Sequence, residues 1–174
     1  MRPHLLSVRL AALLVALWAT PPALAQQDVF RFGAWKGQAF FDHDSGAFTY
    51  CAAGQIDEAL GELSFFLSRN RVPALGVHRP DWHLKAAAPP EVGLTIDGRI
   101  THTVVQASVP DPHFLVLPLP MDDLDLMQAV AAMRALEVHA AGRTARFQVK
   151  DLRQVIFRLN DCVDVRLRAE AANN

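Results

Sequence analysis

The sequence predicts an α+β fold: a β-rich, sandwich-like domain of antiparallel strands, with two helices in the C-terminal half. Three observations carry this. Apolar residues alternate with polar ones along several short segments, the period of a half-buried strand. Turn residues such as Asp97-Gly98 and Ala141-Gly142 separate those segments at hairpin spacing. Helical periodicity is confined to two stretches beyond Pro120, with no alternation of strand and helix that would build a parallel sheet.

The first 25 residues read as a cleavable export signal. Arg2 and Arg9 supply the positive start, Leu10 to Trp18 the apolar run, and Ala23-Leu24-Ala25 the small-residue cleavage site. Cleavage there starts the mature chain at Gln26, and residues 26–174 form a single exported β-rich domain. A chain of that size buries roughly two thirds of its unfolded surface.

Gln26 to Phe32 is expected to be a short leader. Ala34 to Phe41 and Ala47 to Ala53 are expected to pair as a hairpin around Asp42-His43-Asp44-Ser45-Gly46. In the second strand Phe48 and Tyr50 are assigned to one face and Cys51 to the other. Leu63, Phe65 and Leu67 alternate with Glu62, Ser64, Phe66 and Ser68, and Phe66 is a misfit on the polar face. Asn70-Arg71 turns the chain into Val72 to His78, which Pro73 marks as an edge strand. Ala86 to Pro90 is a loop. Val92, Leu94 and Ile96 form a strand that a two-residue Asp97-Gly98 turn returns as Ile100 to Val109. Phe114 to Leu119 closes the strand-rich part.

The first helix starts among Asp122, Asp123 and Asp125, where acids suit the helix dipole. Leu126, Val130 and Met133 form its apolar face. Ala135 to Ala140 and Arg143 to Val149 form a hairpin. Asp151 then caps a second helix whose stripe is Leu152, Val155, Ile156, Leu159 and Val163. Cys162 is placed near the end of that helix, and Ala169 to Asn174 is expected to fray.

Charge narrows the function classes. The signal carries two of the 17 Lys and Arg and none of the 18 Asp and Glu, so processing makes the net charge more negative than the −1 of the full chain. Only Lys36 and Lys85 precede Lys150, so there is no basic footprint for nucleic acid. No mature apolar run reaches the ~20 residues of a spanning helix, and no membrane span is expected after processing.

Cys51 and Cys162 are the two cysteines. In an oxidising compartment an even pair favours a disulfide. Two buried thiols or a metal pair are the competing readings. Neither Cys has a second Cys or His at zinc-ligand spacing, and no C-x-x-C redox motif is present.

The C-terminal half runs Val92-Gly93-Leu94-Thr95-Ile96-Asp97-Gly98, then Leu117-Pro118-Leu119, an acidic-started helix and a hairpin. Phe147-Gln148-Val149 and Leu159-Asn160-Asp161-Cys162-Val163 follow. With Gly33-Ala34-Trp35 and Tyr50-Cys51 upstream, this resembles exported bacterial proteins of the invasion-associated locus B type. The resemblance implies a small exported β-rich domain acting at the cell envelope or on host cells. It implies no catalytic residue.

The candidate chemistry is sparse. Asp42-His43-Asp44 could supply a general base, and a small hydrolase built on them is the alternative function. His78 and His83 flank Asp81 and Trp82 without the spacing of a metalloprotease pair. His102, His113 and His139 are assigned to surface positions. Ser45 and Ser108 lie in no nucleophile elbow. Trp35, Phe41, Phe65 and Trp82 are expected to fill the core rather than line a pocket. The leading expectation is therefore a monomeric periplasmic or secreted protein with a non-catalytic binding or structural role. Its partner is an unknown protein or envelope component, and no catalytic residue, metal or cofactor is expected.

Overall fold

A computed structural model describes residues 27–57, 60–88, 90–104 and 107–173; the signal-like segment and its cleavage site lie outside them. The fold is α+β and β-rich, with two antiparallel sheets and two helices. The larger sheet holds seven strands in the order β1-β2-β3-β4-β5-β9-β8. These are β1 (Gln27–Phe32), β2 (Trp35–Phe41), β3 (Phe48–Asp57), β4 (Gly61–Ser68), β5 (Pro73–His78), β8 (Ser108–Asp111) and β9 (Phe114–Pro118). The smaller sheet has the order β11-β10-β6-β7, from β6 (Val92–Ile96), β7 (Ile100–Val104), β10 (Ala135–Ala140) and β11 (Arg143–Gln148). Helix α1 (Leu124–Ala132) precedes the β10–β11 hairpin, and α2 (Leu152–Asn173) ends the fold.

The alternating patterns become burial. Leu63, Phe65 and Leu67 of β4 and Val92, Leu94 and Ile96 of β6 are all buried in one core that draws on both sheets and both helices. Leu126, Val130 and Met133 bury α1, and Leu152, Val155, Leu159 and Val163 bury α2, with Ile156 packed partly against them. Asp123 caps α1 by accepting the Leu126 amide at 2.9 Å. Trp35, 2 % exposed, donates its indole N–H to the Lys150 carbonyl at 2.8 Å, tying β2 to the start of α2.

Several local expectations are corrected by long-range pairing. The expected leader is β1, which pairs with β2 around a Gly33-Ala34 turn and lays Phe30 over Gly37. A Cβ at Gly37 would lie 2.2 Å from that ring, so any larger residue would have to displace the ring. Phe48 shares the buried face with Cys51, and Tyr50 faces outward. A register shift opposite Phe40 and Phe41 leaves Thr49 as a bulge, which resets the alternation by one residue. β5 is an interior strand between β4 and β9, not an edge. Pro73 is tolerated because it opens the strand, where a missing N–H interrupts no ladder; its carbonyl accepts the Leu119 amide.

Ile96 pairs with Ile100, so the loop has three residues rather than two. Asp97 has φ 51°, and its carboxylate accepts the amides of Arg134 and Ala135 at 2.9 and 2.8 Å. The single strand expected over Ile100 to Val109 is divided: β7 belongs to the smaller sheet and β8 to the larger. Cys162 lies in the middle of α2, because the helix continues to Asn173 instead of fraying. Glu170 holds that last stretch: it accepts the Phe48 amide at 2.6 Å and pairs with Arg69 at 3.3 Å.

Candidate functional site

The residues singled out for acid–base chemistry do not assemble. Asp42, His43 and Asp44 are exposed on the β2–β3 turn. The Asp42 carboxylate is engaged locally, accepting the Ser45 hydroxyl at 2.7 Å and the Ser45 amide at 2.8 Å. Those bonds, the hydroxyl's first, hold its carboxyl below the usual carboxylate range. No cavity described here is lined by any of the three.

The histidines are rearranged by tertiary structure. His113, expected at an isolated surface position, stands beside both His83 and His78, with ring centroids 5.4 and 6.4 Å apart. Its Nδ1 donates to the Trp82 carbonyl at 2.6 Å, which fixes the ring. Among the described residues no group of three His, Cys, Asp or Glu side chains is arranged to hold a metal ion. His139 lies on the outer face of the smaller sheet between the hydroxyls of Thr95 (3.2 Å) and Thr144 (2.9 Å).

Cys51 and Cys162 form the disulfide, with Cα atoms 6.3 Å apart. It pins the middle of α2 to the inner face of β3. Trp35, Phe65 and Trp82 are buried as core residues, Trp35 meets Phe65 edge-on at 5.8 Å, and Phe65 also lines an apolar cavity, against the expectation. Phe41 is only partly buried, against Phe48 and beneath the Arg166 guanidinium.

Two of the concave regions among the described residues lie against β4. The first is an apolar cavity of about 370 Å³ where α1 and α2 meet the larger sheet. Leu67 and Pro73 form its sheet side, Met127 and Val130 its α1 side, and Ile156 and Leu159 its α2 side. Met121 and Leu124 stand 55 % and 67 % exposed at its mouth. The polar rim is self-satisfied: Arg71 donates to Asn160 at 3.1 Å and pairs with Asp164. Asn160 in turn donates to the Ile156 carbonyl. Such a cavity, apolar with a few polar groups at one edge, is near the lower end of ligand-pocket volumes.

The second is a groove of about 420 Å³ on the outer face of the larger sheet, where Phe40, Tyr50, Phe66 and Phe114 meet. Burial among these rings raises the Tyr50 phenol above its ordinary value. Only Phe66, out of pattern on its strand, signalled this face in the sequence.

No family model, curated protein or solved structure matches the chain.

Proposed function

We propose that this chain is an exported protein of the periplasm or extracellular space that acts by binding, and that the cavity between its helices takes an apolar molecule. The observation that carries the reading is a predominantly apolar cavity between the helices and the larger sheet, with Met121 and Leu124 exposed at its mouth. Methionine adapts its shape to a guest more readily than branched side chains do. Three features support export. The N-terminal 25 residues have the charged, apolar, small-residue order of a signal. The disulfide suits an oxidising compartment. No helix among the described residues is long and apolar enough to cross a membrane. The resemblance to exported proteins of the invasion-associated locus B type supports an envelope or host-facing role in the same direction.

Because Arg71 is already paired with Asp164, the cavity should take dodecanol and dodecanoate alike. Calorimetric titration of the mature chain should give saturable one-to-one binding of either, with a rise in Tm from mass action. Met127→Trp, which fills the cavity from α1, should weaken binding roughly tenfold. Binding unchanged in Met127→Trp, or no binding to wild type, would overturn the cavity reading. N-terminal sequencing of the exported protein should find Gln26 first; an intact Met1 would overturn the processing.

A further inference from the structure

The outward face of an antiparallel sheet over a single core is ordinarily polar. The larger sheet departs from this along one line. Phe40 of β2 stacks on Tyr50 of β3, with centroids 4.6 Å apart and planes 15° apart. Tyr50 meets Phe66 of β4 at 5.7 Å, and Phe66 meets Phe114 of β9 at 6.3 Å. The last step crosses a whole strand. It is possible because β5 has Gly76 at that point: a Cβ there would lie 2.4 Å from the Phe66 ring and 3.0 Å from the Phe114 ring. The row therefore runs unbroken over five strands, and all four rings are only half-buried. The core lies on the opposite side, where Cys51, Phe65 and Leu115 point, so packing does not account for this line.

Beside the aromatic row runs a polar one. Lys36, Gln38, Glu62, Ser64 and His78 line the same groove. Ser64 is 5 % exposed and donates to Glu62 at 2.7 Å, which orients that carboxylate. Gly54 again leaves room, since a Cβ there would lie 2.6 Å from the Glu62 oxygen. The formal charges of Lys36 and Glu62 cancel, so a phosphate, a nucleic acid or an acidic peptide meets no excess of positive charge.

An uncharged ligand complementary to this groove must offer apolar C–H surface to the half-buried rings and must hydrogen-bond with the amide, hydroxyl, carboxylate and imidazole groups alongside. Saccharide rings have both properties on one body. We propose that the outer face of the seven-stranded sheet is a binding site for a neutral oligosaccharide, with Phe40, Tyr50, Phe66 and Phe114 as the aromatic floor and Gln38, Glu62 and His78 as the hydroxyl partners. This site is separate from the cavity between the helices and does not rest on it.

Tyr50 is the chain's one tyrosine, so ring-labelled tyrosine gives a single NMR reporter in the middle of the row. The mature protein is titrated with neutral hexasaccharides of α- and β-linked glucose, mannose and N-acetylglucosamine. The expected result is a saturable displacement of the Tyr50 signal by at least one of them. Phe114→Ala and Gln38→Ala should each weaken that binding roughly tenfold. Gln38→Ala removes only a half-exposed polar group, so it keeps the test valid if Phe114→Ala fails to fold. Met127→Trp should leave the saccharide titration unchanged, which separates this site from the apolar cavity. A Tyr50 signal unmoved by the whole panel, or moved equally in Gln38→Ala, would overturn the proposal. So would displacement by an acidic peptide in place of the saccharides.

Discussion

At the scale of single residues, Asp42 shows how a chemically suggestive cluster is used up by its own turn. A carboxylate three residues before a serine closes an Asx-type turn by accepting both the amide and the hydroxyl. Ser45→Ala removes the hydroxyl bond, the largest of the causes of the lowered pKa. The Asp42 titration followed by carboxyl NMR should then move up toward the ordinary carboxylate range. The sign for stability follows from linkage. A carboxyl lowered in the fold contributes above its unfolded pKa of about 3.9, and the contribution fades as pH falls through the folded value. An Asp42 titration that stays in place in Ser45→Ala would show that the turn is held by something other than this bond.

At the scale of elements, α2 carries the most. Its buried stripe packs on the larger sheet and on α1, its midpoint is cross-linked, and its last turns are held through Glu170. Leu159, 2 % exposed, belongs to that stripe. Leu159→Ala should destabilise by about 2 to 5 kcal/mol, the cost of lost burial plus an unfilled space. Because Leu159 also lines the apolar cavity, the enlarged space should bind dodecanol without loss of affinity. A denaturant midpoint unchanged within error would show that the stripe is not packed as described. The helix's length was hidden in the sequence because Ala169 to Asn173 has no apolar stripe of its own; Glu170 acts through polar contacts with β3 and the chain after β4.

At the scale of the whole molecule, the disulfide joins positions 111 residues apart. Closing a loop of that length lowers the entropy of the unfolded chain and contributes about 4 to 5 kcal/mol on the chain-entropy account. Cys51→Ala should lower the Tm of the oxidised protein, and a reductant should lower the wild type to match. Mass spectrometry of the unreduced, alkylated protein should find neither thiol modified; two alkylated thiols would rule the bridge out. The same closure explains why one bond serves a sheet of seven strands. It anchors α2 across the inner face of β3, so the outer aromatic face is left without a covering helix.

The sequence by itself determined whatever depends on neighbours along the chain. The buried faces of β4 and β6, the Ala141-Gly142 hairpin, the acidic start of α1 and the stripe of α2 follow from local periodicity and turn chemistry. The cysteine pair was favoured by the even count together with the signal-like segment, and the structure pairs Cys51 with Cys162. Tertiary structure decided what depends on which strands become neighbours. The Thr49 bulge turned Phe48 inward, β9 made Pro73's strand an interior one, and the split of β7 from β8 sent consecutive residues into different sheets. The two concave sites belong to this second class. Phe66 stood out as a misfit, but Phe114 read as an ordinary strand residue until Gly76 brought the two rings together. Side chains 48 residues apart can form one surface only after backbone hydrogen bonds set the strand order. That order is a global minimum over all pairings, and no local window of sequence contains it.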